Sequence, residues 1–337
     1  MKPQKKYVTI GNNVKRIEKL MGELVLQPRL KILEWSKITK QTPSIKIGYV
    51  GQHLASIVVG MPGQKTGARG NDIVDGSEVK SCNRVDASDV CKNNICKTKI
   101  SRFESVCPDC GSADIKRDKT SKWLFTIRSK KDLRILTEDV KRIILVLADY
   151  PNFDKNDFEE IRFQVFEIWT NSPRCKAFKD TMKDYYENVF LAHKKKDNAK
   201  TPAPQNFWPY DFRFYLCNPI KIFSCAVKNA NKNPRLKIEL YISPKMDRRE
   251  LPSELMPTDK VKKVEFSKMI KRASAKEITE NLIDKKSYKA FRSLIKKKSF
   301  KMEDVCDYMP SINEALRKYI SIRKAVPHII EKEHTRH

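Results

Sequence analysis

Apolar side chains recur every three or four residues between positions 12 and 37, with Val14, Ile17, Leu20, Met21, Leu24 and Val25 on one stripe. That period predicts a helix. Pro28 falls inside it and is expected to kink or split it, because its ring crowds the preceding turn. A second short helix is predicted over 52–59, followed by the glycine-bearing loop MPGQKTGARGN. Residues 72–74 and 77–82 then read as short strands. After a cysteine-rich stretch, WLFTIR (123–128), RIILVL (142–147) and IRFQVFEIW (161–169) read as further strands, with a helix between the first two. Ala177, Phe178, Met182, Tyr185, Val189 and Phe190 mark an amphipathic helix. Helices interleaved with strands predict an α/β (α+β) fold, a mixed sheet flanked by helices.

The segment HKKKDNAKTPAPQN (193–206) combines a lysine run with two prolines and no apolar period, and is the linker expected from the pattern. It divides a catalytic region, 1–197, from a second domain, 198–337. Beyond it FRFYLC (212–217) and LKIELYI (236–242) read as strands, the neighbouring aromatics as sheet core, and the last 75 residues as mainly helical. SINEALRKYISI (311–322) carries a helical apolar stripe suited to core or dimer contact.

A length of 337 residues suits about two domains. At 40% hydrophobic the chain can build packed cores, which excludes a disordered tail protein. Lys and Arg number 69 against 41 Asp and Glu, a net charge of +28 with pI near 9.7, and that imbalance calls for a polyanionic partner or surface. No apolar run reaches the roughly 18 residues that cross a bilayer, and MKPQKKYVTIGNN lacks a signal-peptide core. The expectation is a cytoplasmic protein without a membrane partner.

The stretch GARGNDIVDGSEVKSC (67–82) carries the most chemistry. On a strand Glu78 and Lys80 share a face. Asp72 joins them if Asp75-Gly76-Ser77 forms a three-residue turn, which sets Val74 opposite Glu78 and Asp72 opposite Lys80; a two-residue Asp-Gly turn puts Asp72 on the other face. Phosphodiester hydrolysis needs a metal to bind the phosphate and activate water. Two carboxylates are hard ligands for Mg²⁺, the Val79 carbonyl can add a third, and a lysine can steady the hydroxide. This is the D…ExK arrangement of the PD-(D/E)xK nucleases; a polar hairpin with a solvated salt bridge would show the same letters. Glu23 on the first helix is a possible additional catalytic carboxylate or an exposed one, Asp86 and Asp89 are rival ligands, and Gln52 and His53 can reach a phosphate or water or serve as core and caps.

Of nine cysteines, five lie between positions 82 and 110, and in a reducing compartment such clustering points to metal. Cys91-x4-Cys96-x10-Cys107-x2-Cys110 can give four thiolates to one Zn²⁺, with CPDCGS as a tight knuckle. Four thiolates leave no open position, so the role is structural, in a zinc-binding insertion at 82–112. Cys82 is a substitute ligand or a strand-packing residue, and the remaining four cysteines read as apolar residues.

QHLASIVVG…TGARGNDIVDGSEVKSCNRVD, the cysteines with CPDCGS, and SKWLFTIRS together resemble the MamI-like group of type II restriction endonucleases. The resemblance covers roughly residues 45–190. It implies Mg²⁺-dependent cleavage of double-stranded DNA, with Asp72, Glu78 and Lys80 as the catalytic set and the four cysteines as a zinc site. The chain departs from it in the first cysteine pair, where four residues stand in place of the expected two.

Residues 274–298 read as helix, turn, helix. Ile278, Leu282 and Ile283 face the core from the first, Tyr288, Phe291, Leu294 and Ile295 from the second, with Lys285, Lys286, Lys289, Arg292, Lys296, Lys297 and Lys298 outside. That suits a helix-turn-helix meeting the DNA major groove, or a basic hairpin touching phosphates only. Two-strand cleavage implies a homodimer by C2 symmetry. The rival functions are a structure- or modification-dependent DNA nuclease and a zinc-containing DNA-binding regulator without catalysis.

Overall fold

The computed structural model describes residues 13–41, 43, 46–64, 71–84, 89–100, 104–118, 120–155, 157–197, 201–297 and 299–325. In chain order, α1 (Asn13–Met21) passes through a π-helical turn, Gly22–Leu26, into α2 (Gln27–Thr39), and α3 (Gly48–Val59) follows. Next come β1 (Glu78–Asn83), the short strands β2 (Asp89–Cys91), β3 (Lys99–Ile100) and β4 (Ile115–Lys116), and β5 (Trp123–Phe125). Helix α4 (Lys130–Arg134) precedes the long strands β6 (Arg142–Asp149) and β7 (Ile161–Trp169). Then α5 (Lys176–Tyr185), α6 (Leu191–Lys196), β8 (Gln205–Phe207) and α7 (Phe212–Leu216) lead to β9 (Ile220–Lys228) and β10 (Arg235–Tyr241). The rest is β11 (Met256–Pro257), α8 (Lys263–Arg272), α9 (Ala275–Thr279), α10 (Tyr288–Lys296), α11 (Met302–Tyr308), β12 (Ser311–Ile312) and α12 (Glu314–Arg317).

Two compact units result. The first is Met1–Leu124 with Asp139–Glu167 and Lys221–Arg248; the second is Phe125–Glu138 with Ile168–Ile220 and Arg249–His337. The units interleave along the chain because the sheet of the first recruits strands from beyond residue 198. That sheet runs β1-β6-β7-β9-β10. β1 lies parallel to β6, with Glu78 beside Ile143 and Lys80 beside Leu145, while β9 and β10 are antiparallel, so the sheet is mixed. β6 and β7 are buried almost throughout; β6 is a near-continuous apolar run, whereas β7 also buries Gln164 and Glu167. β1 is an edge strand, and α3 lies against it so closely that a Cβ at Gly51 would stand 2.0 Å from Ser81 Oγ.

The second unit is held by aromatic rings. Phe125, Phe178, Phe207 and Phe214 meet mostly edge to face with centroids 5.5–6.3 Å apart, and Phe266, Phe291 and Phe300 form another group under α8 and α10. Arg174 forks onto Glu314, its Nε 2.7 Å from Oε1 and its Nη2 2.6 Å from Oε2.

Several expected elements take another form. Pro28 sits at the start of α2, where a π turn divides the helix read at 12–37: the Gln27 N–H reaches the Gly22 carbonyl, which loosens the helix at the carbonyls the proline would crowd. FRFYLC is the helix α7, not a strand, and turns Phe212, Phe214, Tyr215 and Leu216 into the aromatic core. Residues 220–228, given no element from the sequence, form the long buried strand β9. Residues 311–322 supply only β12, paired with β11, and the four-residue α12. The linker read at 193–206 lies within the second unit, flanked by α6 and β8.

Candidate active site

Asp72, Glu78 and Lys80 all lie in the first unit, around the start of the edge strand. The Asp72 and Ile73 N–H groups both donate to the Ser77 carbonyl, at 2.9 and 3.1 Å, and the Gly76 N–H donates to the Ile73 carbonyl at 3.0 Å. Residues 73–76 therefore form the turn, with Gly76 at φ 85°, a conformation that glycine adopts without steric cost. The expected strand at 72–74 is reduced to one bridge between Ile73 and Gly63, and Ser77, rather than Asp75-Gly76-Ser77 as a loop, pairs back to Asp72. Val74 is half exposed and not paired in a ladder with Glu78.

The three side chains nonetheless lie close enough for Glu78 and Lys80 to act electrostatically on Asp72. Asp72 Oδ2 accepts the Val79 N–H at 2.8 Å, Oδ1 accepts from Gln52 Nε2 at 3.0 Å, and the Lys80 ammonium pairs with the Glu78 carboxylate. Burial pushes the Asp72 carboxyl above its ordinary range; the Val79 amide pulls it back, Glu78 pushes it further up and Lys80 lowers it. Because the Val79 amide turns toward Asp72 on the free edge, its carbonyl, which leaves the strand on the same side, faces that edge too. The donor set of two carboxylates and one carbonyl fits a hard divalent cation.

Behind this group lies a buried charge network that the sequence did not disclose. Arg142, at the start of β6, donates to Ser77 Oγ at 2.9 Å, Asp75 Oδ2 at 2.9 Å and Glu167 Oε1 at 2.7 Å. Arg248 also donates to Glu167 Oε1, at 3.0 Å, and to the Val58 carbonyl at the end of α3. Glu167 is wholly buried. The trace of this in the sequence is a glutamate, Glu167, in a strand buried almost throughout. Glu23 falls in the π turn on the solvent side and pairs with Lys19 at 3.8 Å. His53 is exposed on α3. Asp89 is fully buried and holds Arg117 at 2.8 Å and the Asp118 N–H at 2.9 Å, so it braces the cysteine module. Asp86 lies outside the described residues.

Cys91, Cys96, Cys107 and Cys110 place their sulfurs within 4.8 Å of one another. The Cys91–Cys110 and Cys96–Cys107 separations are both 3.7 Å. Four ligands about 2.3 Å from a tetrahedral ion sit about 3.8 Å apart, so the cluster fits one such ion and could bind zinc. Strands β2, β3 and β4 form a small sheet beneath it. The longer first spacing is absorbed by a turn in which the Cys96 and Lys97 N–H groups both donate to the Asn93 carbonyl at 3.1 Å. The Thr98 hydroxyl and amide draw the Cys96 thiol down to about 7, whereas burial pushes Cys91 up to about 12. Cys82 packs inside β1, away from this set.

In the second unit, α9 ends at Thr279, and a 3₁₀ turn at Lys285–Ser287 leads into α10. Lys285, Lys286, Lys289 and Lys296 are exposed and Arg292 is half-buried; Lys298 lies outside the described residues. Ile278 and Phe291 anchor the pair, but Ile283 is 69% exposed because the chain leaves the helix before reaching it.

The family model described as MamI restriction endonuclease matches residues 34–259, about two thirds of the chain. This chain belongs to that family. Over 82 residues it is 35% identical to the type II restriction enzyme MamI of Microbacterium ammoniaphilum, a stretch covering 24% of this chain and 27% of that one. The match thus spans about a quarter of the curated relative's length. No solved structure matches the chain. The MamI-family segment contains Gln52, Asp72, Glu78, Lys80 and the four cysteines, whereas α8 to α12 lie beyond it. Among the described residues no helix is long and apolar enough to cross a membrane.

Proposed function

We propose that this chain is a type II restriction endonuclease that hydrolyses phosphodiester bonds of double-stranded DNA at a specific sequence, with Mg²⁺ as its catalytic ion and Zn²⁺ held by the four cysteines. In this reading unit one contains a PD-(D/E)xK core with an inserted zinc module, the C-terminal helices carry DNA recognition through Lys285, Lys286, Lys289, Arg292 and Lys296, and the protein works as a cytoplasmic homodimer. The observation that carries it is the convergence of Asp72 on the Val79 amide, beside the Glu78–Lys80 pair, in a chain of the MamI family.

Asp72, Glu78 and the Val79 carbonyl would hold the ion, which supplies charge neutralisation at the scissile phosphate and a more acidic water. Gln52 orients the Asp72 carboxylate by donating to Oδ1. Lys80, drawn to this edge by Glu78, neutralises the buried carboxylate and is placed to hold an attacking oxygen. The Arg142–Glu167–Arg248 network keeps the turn carrying Asp72 in register with the strand.

Incubation of plasmid DNA with Mg²⁺ tests the reading. The wild-type chain is expected to give discrete fragments, and Asp72→Asn, Glu78→Gln and Lys80→Ala to give none while still binding duplex DNA, since most phosphate and base contacts lie elsewhere. A smear would show a nonspecific nuclease, and tight binding with no cutting by the wild type a regulator. Normal cutting by all three variants would remove this edge from the mechanism.

A further inference from the structure

A cleft of about 750 Å³ opens between α8 and α10 in the second unit. That volume lies within the range of roughly 300–1,000 Å³ found for small-molecule sites. Its floor is apolar: Phe266, Ile270, Ile278 and Phe300 are buried, while Tyr288 and Ile295 are half-exposed. Its rim is cationic, from Lys263, Lys271, Arg292, Lys296 and Lys297, and among the described residues no carboxylate lines it. Lys263 already lies over the Phe300 ring at 4.4 Å, a cation on an aromatic face.

The charge on this rim selects the occupant. A second copy of a chain with net charge +28 would bring more positive charge to an already positive mouth. A phosphate alone would leave the apolar floor wetted. A group that is anionic at one end and flat and apolar at the other satisfies both parts, and a nucleotide is such a group. Tyr288, which lines the cleft, is flanked along the chain by the exposed Lys285, Lys286 and Lys289.

We propose that this cleft receives one nucleotide of the bound DNA displaced from the base stack, its phosphate against the rim cations and its base against Tyr288, Ile295 and the rings below. This rests on the reading of the chain as a DNA-binding enzyme and adds to it a site for an unstacked base. Stacking on aromatic side chains is sequence-tolerant, so the cleft would favour any unpaired base over none.

The test uses the full chain without Mg²⁺ and three labelled duplexes: fully paired, with one bulged thymidine, and with one bulged abasic residue of equal charge. Fluorescence anisotropy is expected to show the thymidine bulge bound roughly 5- to 100-fold more tightly than the abasic one. Tyr288→Ala should bring that ratio toward one with little loss on the paired duplex. Ala275→Trp, which fills the cleft from an exposed position and removes no cation, should do the same if Tyr288→Ala fails to fold. Equal binding of the two bulges overturns the proposal, as does a preference that survives both substitutions or a polyglutamate peptide that competes as well as the bulged duplex. If the same preparation cuts plasmid with Mg²⁺ yet shows no base preference, only this proposal falls. If it binds no duplex at all, the reading beneath it falls too.

Discussion

The approach of α3 to the edge strand predicts an inverted glycine effect at residue 51. In a helix interior alanine is favoured over glycine by about 1 kcal/mol. Here the added Cβ would meet Ser81 Oγ at 2.0 Å and Ser81 Cβ at 2.8 Å. The hydroxyl can rotate away, but the Cβ is fixed to β1, so the helix itself must move. Overpacking of this kind costs about 1–3 kcal/mol, and a clash with an atom fixed to the backbone belongs at the upper end. Gly51→Ala should therefore lose about 2 kcal/mol net, roughly a 30-fold fall in the folding equilibrium. In a Ser81→Gly background both opposing atoms are gone, and the same change should become stabilising by about 1 kcal/mol. The assay is urea unfolding of all four members of the cycle, read from midpoints at constant slope. A Gly51→Ala protein as stable as wild type, or a penalty that persists unchanged over Ser81→Gly, would refute the close contact. Cutting should follow the same cycle, because α3 also carries Gln52 to Asp72.

Arg142→Gln should cost about 3–5 kcal/mol in the same assay, because Asp75 and the wholly buried Glu167 lose a shared partner; a loss below about 1 kcal/mol would show the network to be dispensable. Metal analysis of purified protein should find about one zinc per chain, and Cys107→Ser should lose it and lower the melting temperature, whereas undiminished stability would contradict a structural ion. Replacing Lys289 and Arg292 with alanine should weaken DNA binding and reduce its salt slope by about one to two; an unchanged slope would mean that α10 does not face DNA. Hydrogen bonding from Lys318, with the Ser274 amide and hydroxyl, holds Glu277 down to about 2, so its stabilising contribution is present above pH 4.5 and is lost as pH falls toward 2. Glu277→Gln should therefore flatten the acid side of the melting profile in that window, and an identical profile would contradict the pairing.

The parts of the fold that could be read from the sequence were those with a strong local period. The helix from 13, β6, β7 and the helix through 176–196 carry apolar periods that local sequence displays, whereas β1, with only Val79 and Cys82 apolar, is read from its turn and charge spacing. The errors lie where tertiary contacts decide. FRFYLC alternates well enough for a strand, yet the surrounding rings reward a helix that buries Phe212, Phe214, Tyr215 and Leu216 together. The chain returns to the first sheet at β9 and β10, and no sequence period announces which sheet a strand will join. The same limit explains why one boundary near 197 does not describe the two units.

At the site, chemistry was more legible than geometry. The cysteine spacing reads directly as a ligand set, and the Asp72, Glu78 and Lys80 letters as candidate residues that a polar hairpin would share. The turn was not, because two loop lengths predict opposite faces for Asp72 and both are good glycine turns. The structure takes a third course: Ser77 pairs back to Asp72, and the carboxylate reaches the Val79 amide from the edge instead of from a ladder position. Face parity therefore never constrained Asp72. What constrains it is Gln52 from α3 on one oxygen and the strand amide on the other, with Arg142 gripping both Asp75 and Ser77 in the turn. Those partners lie 20 residues before Asp72 and up to 70 residues after it along the chain, so only the folded sheet can bring them together.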